Sequence, residues 1–218
     1  MFYAPSSNPG QTVAGFMTAL AEASLAVSTD ALREAAELLL DAQANGRRVY
    51  VMGNGGSAST ATHFVCDLIK TAHVPGHRPL RAYSLTDNPA LVTAVGNDMS
   101  FDESFRFQVG ALVEQDDVVI AISASGKSLN IIAGLVAATA VGARTIGFLG
   151  FDGGPANELV DISIHVPWHD YGIVESVHLG VVHALTLAIR RALQGDDAPI
   201  TLPCMSAGEP RYAAAGAR

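Results

Sequence analysis

His63 and Asp67 stand four residues apart in a stretch with helical patterning. On a helix that spacing puts an imidazole and a carboxylate on one face, where they can chelate a cation or pass a proton. A surface ion pair has the same spacing, so the pair takes its meaning from position: it follows directly on a glycine loop, Gly53-Asn54-Gly55-Gly56-Ser57. Glycines there allow positive φ and close backbone approach, and the free N–H groups of a helix start face any anion. A second loop of the same kind is Ser123-Ala124-Ser125-Gly126-Lys127-Ser128. Its hydroxyls and the helix N-terminus behind it can surround a phosphate without arginine. Either loop alone is also what a tight, capped strand-to-helix turn looks like. Two of them on separate strands are the more specific signal, with phosphate expected at Ser57, Ser123, Ser125 and Ser128.

Two other readings of these loops fail. The first formally fits the dinucleotide fingerprint, but the acidic residue needed at the end of the second strand has only Asp87 as a candidate, which comes too late. The second nearly spells a Walker A loop, yet Ala121 stands where that loop needs glycine, and little chain is left to encircle a triphosphate.

The loops need strands and helices to hold them. Residues 1–10 read as a loose tail. A helical pattern runs from Gln11 to about Val27, and a second helix, capped by Thr29 or Asp30, runs to Gly46. Strands are expected at Arg48–Met52, Pro79–Leu85, Val118–Ile122, Arg144–Leu149 and Ile162–Val166. Helices are expected at Ser57–Thr71, Pro89–Val95, Asp102–Val113, Leu129–Val141 and Glu175–Leu193. Strand–helix alternation predicts a parallel sheet with helices on both faces and ligands beyond the carboxyl ends of the strands, where both loops sit. Residues 11–194 thus form a single α/β domain, and 195–218 lose periodicity and read as a tail, outside the fold or packed on a neighbouring subunit.

With 49% hydrophobic and 16% charged residues the chain is globular. Its net charge of −8 and the absence of a Lys/Arg stripe exclude an electrostatic grip on nucleic acid or anionic lipid. Two cysteines, Cys66 and Cys204, make no disulfide framework, and Cys66 reads as a small buried apolar residue. Neither a signal peptide nor a membrane span is apparent, so a cytoplasmic protein is expected.

The ordered set GNGGS, a His six residues after that serine, VGND at 95–98, S-x-S-G-x-S, DGG at 152–154 and ESVHxxxxH at 175–183 resembles the SIS (sugar isomerase) family. Within it the likeness is to the sedoheptulose-7-phosphate isomerases, over about Arg48 to Leu193. The resemblance implies a three-layer, flavodoxin-like fold with a five-stranded parallel sheet, N-terminal helices bundled in a homotetramer, and bound zinc. It implies isomerisation of a ketoheptose phosphate to an aldoheptose phosphate. By position, substrate contacts would be Asn54, Gly55, Gly56, Asn97, Asp98, Ser123, Ala124, Ser125, Ser128 and Glu175. Metal and catalytic positions would be His63, Asp67, Glu175 and His183. The chain departs from the family in having Asp67 for Glu, Glu175 for Gln, no hydroxyl at Ala124, no arginine near Thr71, and Gly172-Ile173 for an Asp-Arg pair. These departures bear on which sugar is bound.

Aldose–ketose isomerisation moves a proton between adjacent carbons through an enediolate, and needs a base, an acid and a stabiliser of negative charge. Asp67 as base and His183 as its acid/base partner fit, and imidazole and carboxylate are zinc ligands. Glu175 and His183 are eight residues apart, roughly 12 Å on a straight helix, so one metal takes both only if Glu175 precedes the helix or the two serve different sites. His178 faces elsewhere and reads as a packing or hydrogen-bonding residue. Two alternatives stand beside the heptose reading: an isomerase of another long-chain ketose phosphate in secondary metabolism, and a non-catalytic SIS protein that binds a protein partner.

Overall fold

The computed structural model describes residues 8–196. Most of the two expected tails, and Cys204, lie outside the described residues. The first helix begins earlier than its apolar pattern suggests. Asn8 caps it, accepting hydrogen bonds from the N–H groups of Gly10 and Gln11, and Pro9 occupies the first turn, where its missing N–H costs nothing. This helix, α1 (Pro9–Leu25), buries only Ala23 among its residues. In α2 (Thr29–Asn45) the cap is Ser28, one residue before the expected Thr29 or Asp30, accepting from the Ala31 N–H; Gly46, in the left-handed conformation, ends it.

Five strands follow: β1 (Arg48–Gly53), β2 (Arg81–Ser84), β3 (Val118–Ser123), β4 (Arg144–Gly150) and β5 (Ile162–Val166). All pair in parallel, in the order β2-β1-β3-β4-β5. Because side chains alternate across a strand, Val49 and Val51 enter one core while Tyr50 and Met52 enter the other. The first core lies under α2, α3 (Gly56–Cys66) and α7 (Tyr171–Gln194). The second lies under α5 (Ser104–Leu112) and α6 (Leu129–Ala140), with α4 (Pro89–Asp98) beside α5. The outcome is the expected three-layer, flavodoxin-like architecture. α1 packs on α7 and adds Ala23 to the first core. α7 is long and apolar enough to span a bilayer, but half of the apolar stretch is buried against the protein, as in a core helix.

Three segments differ from the sequence pattern. The last helix starts at Tyr171, because Asp170 caps it by accepting from the Ile173 N–H. A short 3-10 turn, Pro155–Leu159, follows β4. The helix expected over 57–71 divides into α3 and a π-helical turn, Asp67–Thr71, closed by Ala72 N–H to Asp67 C=O at 2.8 Å.

Strand order puts β1 next to β3, with Gly53 beside Ile122. Here the connections diverge: the chain leaves β1 for one face and β3 for the other. The ligand crevice of a doubly wound sheet lies at such a switch point, and both glycine–serine loops border it.

His178, on α7, is fully buried. Its Nε2–H donates to the Leu149 carbonyl at 3.2 Å, its ring meets Phe148 edge-on, and its Nδ1 has no partner among the described residues. It is the hydrogen-bonding, packing histidine the sequence suggested. Burial pushes its pKa from 6.5 down to about 4. The folded state keeps the ring neutral where the unfolded chain would protonate it. The associated stability is therefore complete above about pH 6.5 and is lost as pH falls toward 4, by about 3 kcal/mol at most. Denaturant titrations at pH 7, 5.5 and 4.5 should show this decline. His178→Gln, which keeps a donor for Leu149, should have a flatter profile across the same window.

Candidate active site

The second loop is shaped by close backbone packing. Gly126 has φ of +62°, and a Cβ there would sit 1.9 Å from the Gly153 carbonyl oxygen. Gly154 is as tight: a Cβ there would lie 2.6 Å from the Ser125 carbonyl oxygen. The DGG segment after β4 is thus a brace for the serine loop, tied by Ala156 N–H to Gly126 C=O at 3.1 Å. Within the loop, Ser123 Oγ accepts from Gly126 N–H and Ser125 Oγ from Lys127 N–H, both at 3.2 Å. Ser128 occupies the N-cap of α6, but its hydroxyl makes no cap bond.

The Lys127 ammonium turns away to Asp152, 2.9 Å distant, and that hydrogen bond holds the Asp152 carboxyl below its ordinary pKa. Among the described residues, no cation therefore lines the pocket. Its lining is Asn54, Ser57, Ile122, Ser123, Ala124, Ser125, Ser128, Tyr171 and Glu175, around about 150 Å³. All four serines expected to meet phosphate are here, with Asn54 and Ala124. Ser57 and Ser123 are buried. Gly55, φ +56°, sits at the head of α3. Gly56 lies beneath Glu175, whose Oε2 would be 2.3 Å from a Cβ at that position.

A residue the sequence reading missed joins the loops. Asn130 and Asn54 exchange amide hydrogen bonds at 2.8 and 2.9 Å, and Asn130 Nδ2 also reaches Ser104 Oγ at 3.3 Å. Asn130 is two residues beyond the last serine of the second loop, at a buried position where an amide needs polar partners; that was the available signal. Asn97 and Asp98, expected among the sugar contacts, are not brought to the pocket. They end α4, exposed, with Asn97 Nδ2 donating to Asp98 Oδ1 at 2.8 Å.

A second cluster lies further along α3 and α7. His63, Asp67 and His183 present ligand atoms within 4.8 Å of one another. Asp67 is buried; its Oδ1 accepts from Thr71 Oγ1 at 2.9 Å. Its Oδ2 is buried without a hydrogen bond, although His183 Nδ1 at 3.1 Å and His63 Nε2 at 3.4 Å are within ion-pair distance of it. The two rings meet edge to face, 4.9 Å between centroids. A buried, unsatisfied carboxylate oxygen with two imidazole nitrogens converging on it is a donor set that a divalent cation completes. Glu175 is not part of this cluster. It lies in the second turn of α7, two helical turns before His183, so helix geometry sends it to the pocket instead. There its carboxylate makes no hydrogen bond or ion pair with the described residues. Cys66, expected to be buried, is exposed: it ends α3 on the face turned from the core.

Fold and site together define a doubly wound α/β protein with a serine-lined pocket at its switch point and a metal-competent cluster beside it. The SIS domain pattern matches residues 14–150, and the chain belongs to the SIS-domain family. It is 42% identical over 160 residues to the phosphoheptose isomerase of Geotalea daltonii, covering 73% of this chain and 83% of that protein. To the probable phosphoheptose isomerase of Thermoplasma acidophilum it is 38% identical over 170 residues, covering 78% of this chain and 92% of that one. The structure of a phosphoheptose isomerase from Francisella tularensis superposes with a TM-score of 0.77 at 31% identity, over 84% of this chain and 96% of that one. The Neisseria gonorrhoeae phosphoheptose isomerase superposes with a TM-score of 0.75 at 32% identity, over 83% and 95%.

The pocket leads to one direct expectation. Replacing Ser125 by Ala removes a hydroxyl that an anion can use and should weaken binding of inorganic phosphate by roughly 1–3 kcal/mol in calorimetry. Unchanged affinity would place the anion elsewhere.

Proposed function

We propose that the chain is an aldose–ketose isomerase that interconverts sedoheptulose 7-phosphate and D-glycero-D-manno-heptose 7-phosphate. The observation that carries this is the placement of the anion pocket and the histidine–carboxylate cluster along the same two helices. α3 and α7 both begin at the pocket and run down one face of the sheet. Ser57 to His63 is about 9 Å of helical rise, and Glu175 to His183 about 12 Å. A ligand anchored by its phosphate at the serines reaches the cluster with its carbonyl end only if the carbon chain between is long. The relatives' common name, phosphoheptose isomerase, supports a seven-carbon chain.

The chemistry follows from atoms already placed. His63 Nε2, Asp67 Oδ2 and His183 Nδ1 would hold the cation, zinc by the nature of the donors, which when bound supplies Lewis-acid stabilisation of charge at the sugar oxygens. Asp67 has one oxygen fixed by Thr71 and the other turned to both imidazoles. It therefore orients the histidines. His183 turns Nδ1 toward Asp67 and leaves its ring exposed; with the Nδ1 lone pair given to the cation, the proton would sit on Nε2, which can donate it to a sugar oxygen and take it back. Asp67, expected above to be the base, is proposed here as ligand and orienting carboxylate, with His183 in the acid role. Glu175 accepts hydrogen bonds from substrate hydroxyls. A second reading keeps this chemistry with another long-chain ketose phosphate, and it is favoured by the methyl of Ala124 in the pocket wall, which offers no hydroxyl.

We place the protein in the cytoplasm as a homotetramer assembled through the N-terminal helices. Val13 and Met17 on α1, with Leu179 and Leu187 on α7, leave apolar surface exposed that association would cover.

Three measurements test these statements. Incubation with sedoheptulose 7-phosphate and other ketose phosphates, followed by NMR, should show aldose signals with the heptose; no conversion of any member would overturn the isomerase reading. Asp67→Asn should lose zinc in elemental analysis and turnover together, whereas retained zinc with lost turnover would make Asp67 the base itself. Light scattering at micromolar concentration should give four times the chain mass, and a monomer would exclude the assembly.

A further inference from the structure

We infer that Tyr171 is a substrate-contacting residue: its ring forms the outer wall of the anion pocket and its hydroxyl donates to an oxygen of the bound phosphate. Tyr171 was not singled out in the sequence. It lines the pocket with the serines of both loops, yet 60% of it is exposed, a large aromatic surface held in water at the mouth. A ligand at the mouth would bury part of this ring against itself.

Its position is fixed by more than chance packing. Asp170 caps α7 and sets Tyr171 as the first helical residue. The ring lies against Phe151 at 4.8 Å between centroids, and Phe151 meets His169 edge-on at 5.4 Å. Phe151 is held at φ +52°, a left-handed conformation that a bulky aromatic rarely adopts. Its N–H donates to the Trp168 carbonyl at 3.1 Å, which ties the segment before α7 to the end of β4. Backbone strain of this kind persists where surrounding structure imposes it, commonly at ligand sites. Here it holds a platform under Tyr171.

The chemistry required at that wall is a neutral donor. Among the described residues the pocket lining holds no cation, Lys127 being engaged by Asp152, and its one charged group, Glu175, is an acceptor. The Tyr171 hydroxyl has no hydrogen-bond partner among the described residues and is free to donate. A hydrogen bond from it to a charged phosphate would be of the stronger, charge-assisted kind.

The assignment concerns the anion and rests on the sugar-phosphate reading only for the nature of the rest of the ligand. Binding of inorganic phosphate and of sedoheptulose 7-phosphate is measured by calorimetry on the full chain, the Tyr171→Phe variant and the Tyr171→Ala variant, with steady-state kinetics where turnover occurs. Tyr171→Phe keeps the ring and the fold and should weaken phosphate binding about tenfold. Tyr171→Ala should weaken it further. KM for the sugar phosphate should rise in parallel while kcat stays within about twofold, since the histidine cluster lies roughly 12 Å further down α7. Phosphate affinity of Tyr171→Phe within twofold of the parent overturns the hydroxyl contact, and a Tyr171→Ala variant equal to Tyr171→Phe overturns the ring's part. Phosphate binding that depends on Tyr171 in a protein without isomerase activity would leave this inference standing and remove the enzymatic one.

Discussion

The head of the sheet depends on one close backbone approach, that of Gly126 to Gly153 and Gly154. No side chain fits between them, since a Cβ on Gly126 would be 1.9 Å from a carbonyl oxygen. With the loops in contact, the serine segment cannot swing away from β3, and Ser123 and Ser125 spend one hydroxyl interaction each on the loop's own N–H groups. The N-terminus of α6 then points into the crevice beside that of α3. The Asn54–Asn130 pair fastens the two loops across the switch point. Loop geometry of this sort places neutral donors where an anion can sit without any arginine.

That arrangement reconciles an acidic protein with an anionic ligand. Net charge is −8, and the lysine nearest the pocket is neutralised by Asp152. Glu175 lines the same wall, so a phosphate seated there would rely on hydroxyls and backbone N–H groups beside a carboxylate. A polyol phosphate has an interaction there that a bare anion lacks, because hydroxyls on the ligand can donate to the carboxylate.

Much of this was legible in the sequence because it is local. The five strands are apolar runs bounded by glycine or serine, and the two loops announce themselves by composition. His63 and Asp67 share a face by spacing alone. What the sequence hides is set by tertiary contact. Nothing near Lys127 says that it reaches Asp152, 25 residues on, and leaves the pocket. Glu175 reads as a ligand until the cap at Asp170 lengthens α7 and fixes it two turns from His183. Asn97 and Asp98 lie in a motif with the right residues, but the end of α4 leaves them exposed, paired with each other. Cys66 has the composition of a buried residue and the helical phase of an exposed one.

The least legible feature lies closest to the proposed chemistry. After Cys66 the helix takes one π turn, in which the Asp67 carbonyl accepts from Ala72 rather than from Thr71. An inserted residue of this kind leaves no mark on composition or apolar period. It is less stable than the α-helix and survives where side-chain contacts favour it. Here those contacts belong to Asp67: Thr71 folds back onto one carboxylate oxygen, and the other is turned to the imidazole from α7. The turn and the cluster therefore support each other. With the helix widened at Asp67, its short side chain sets one carboxylate oxygen within 3.1 Å of His183 Nδ1 across the helix interface.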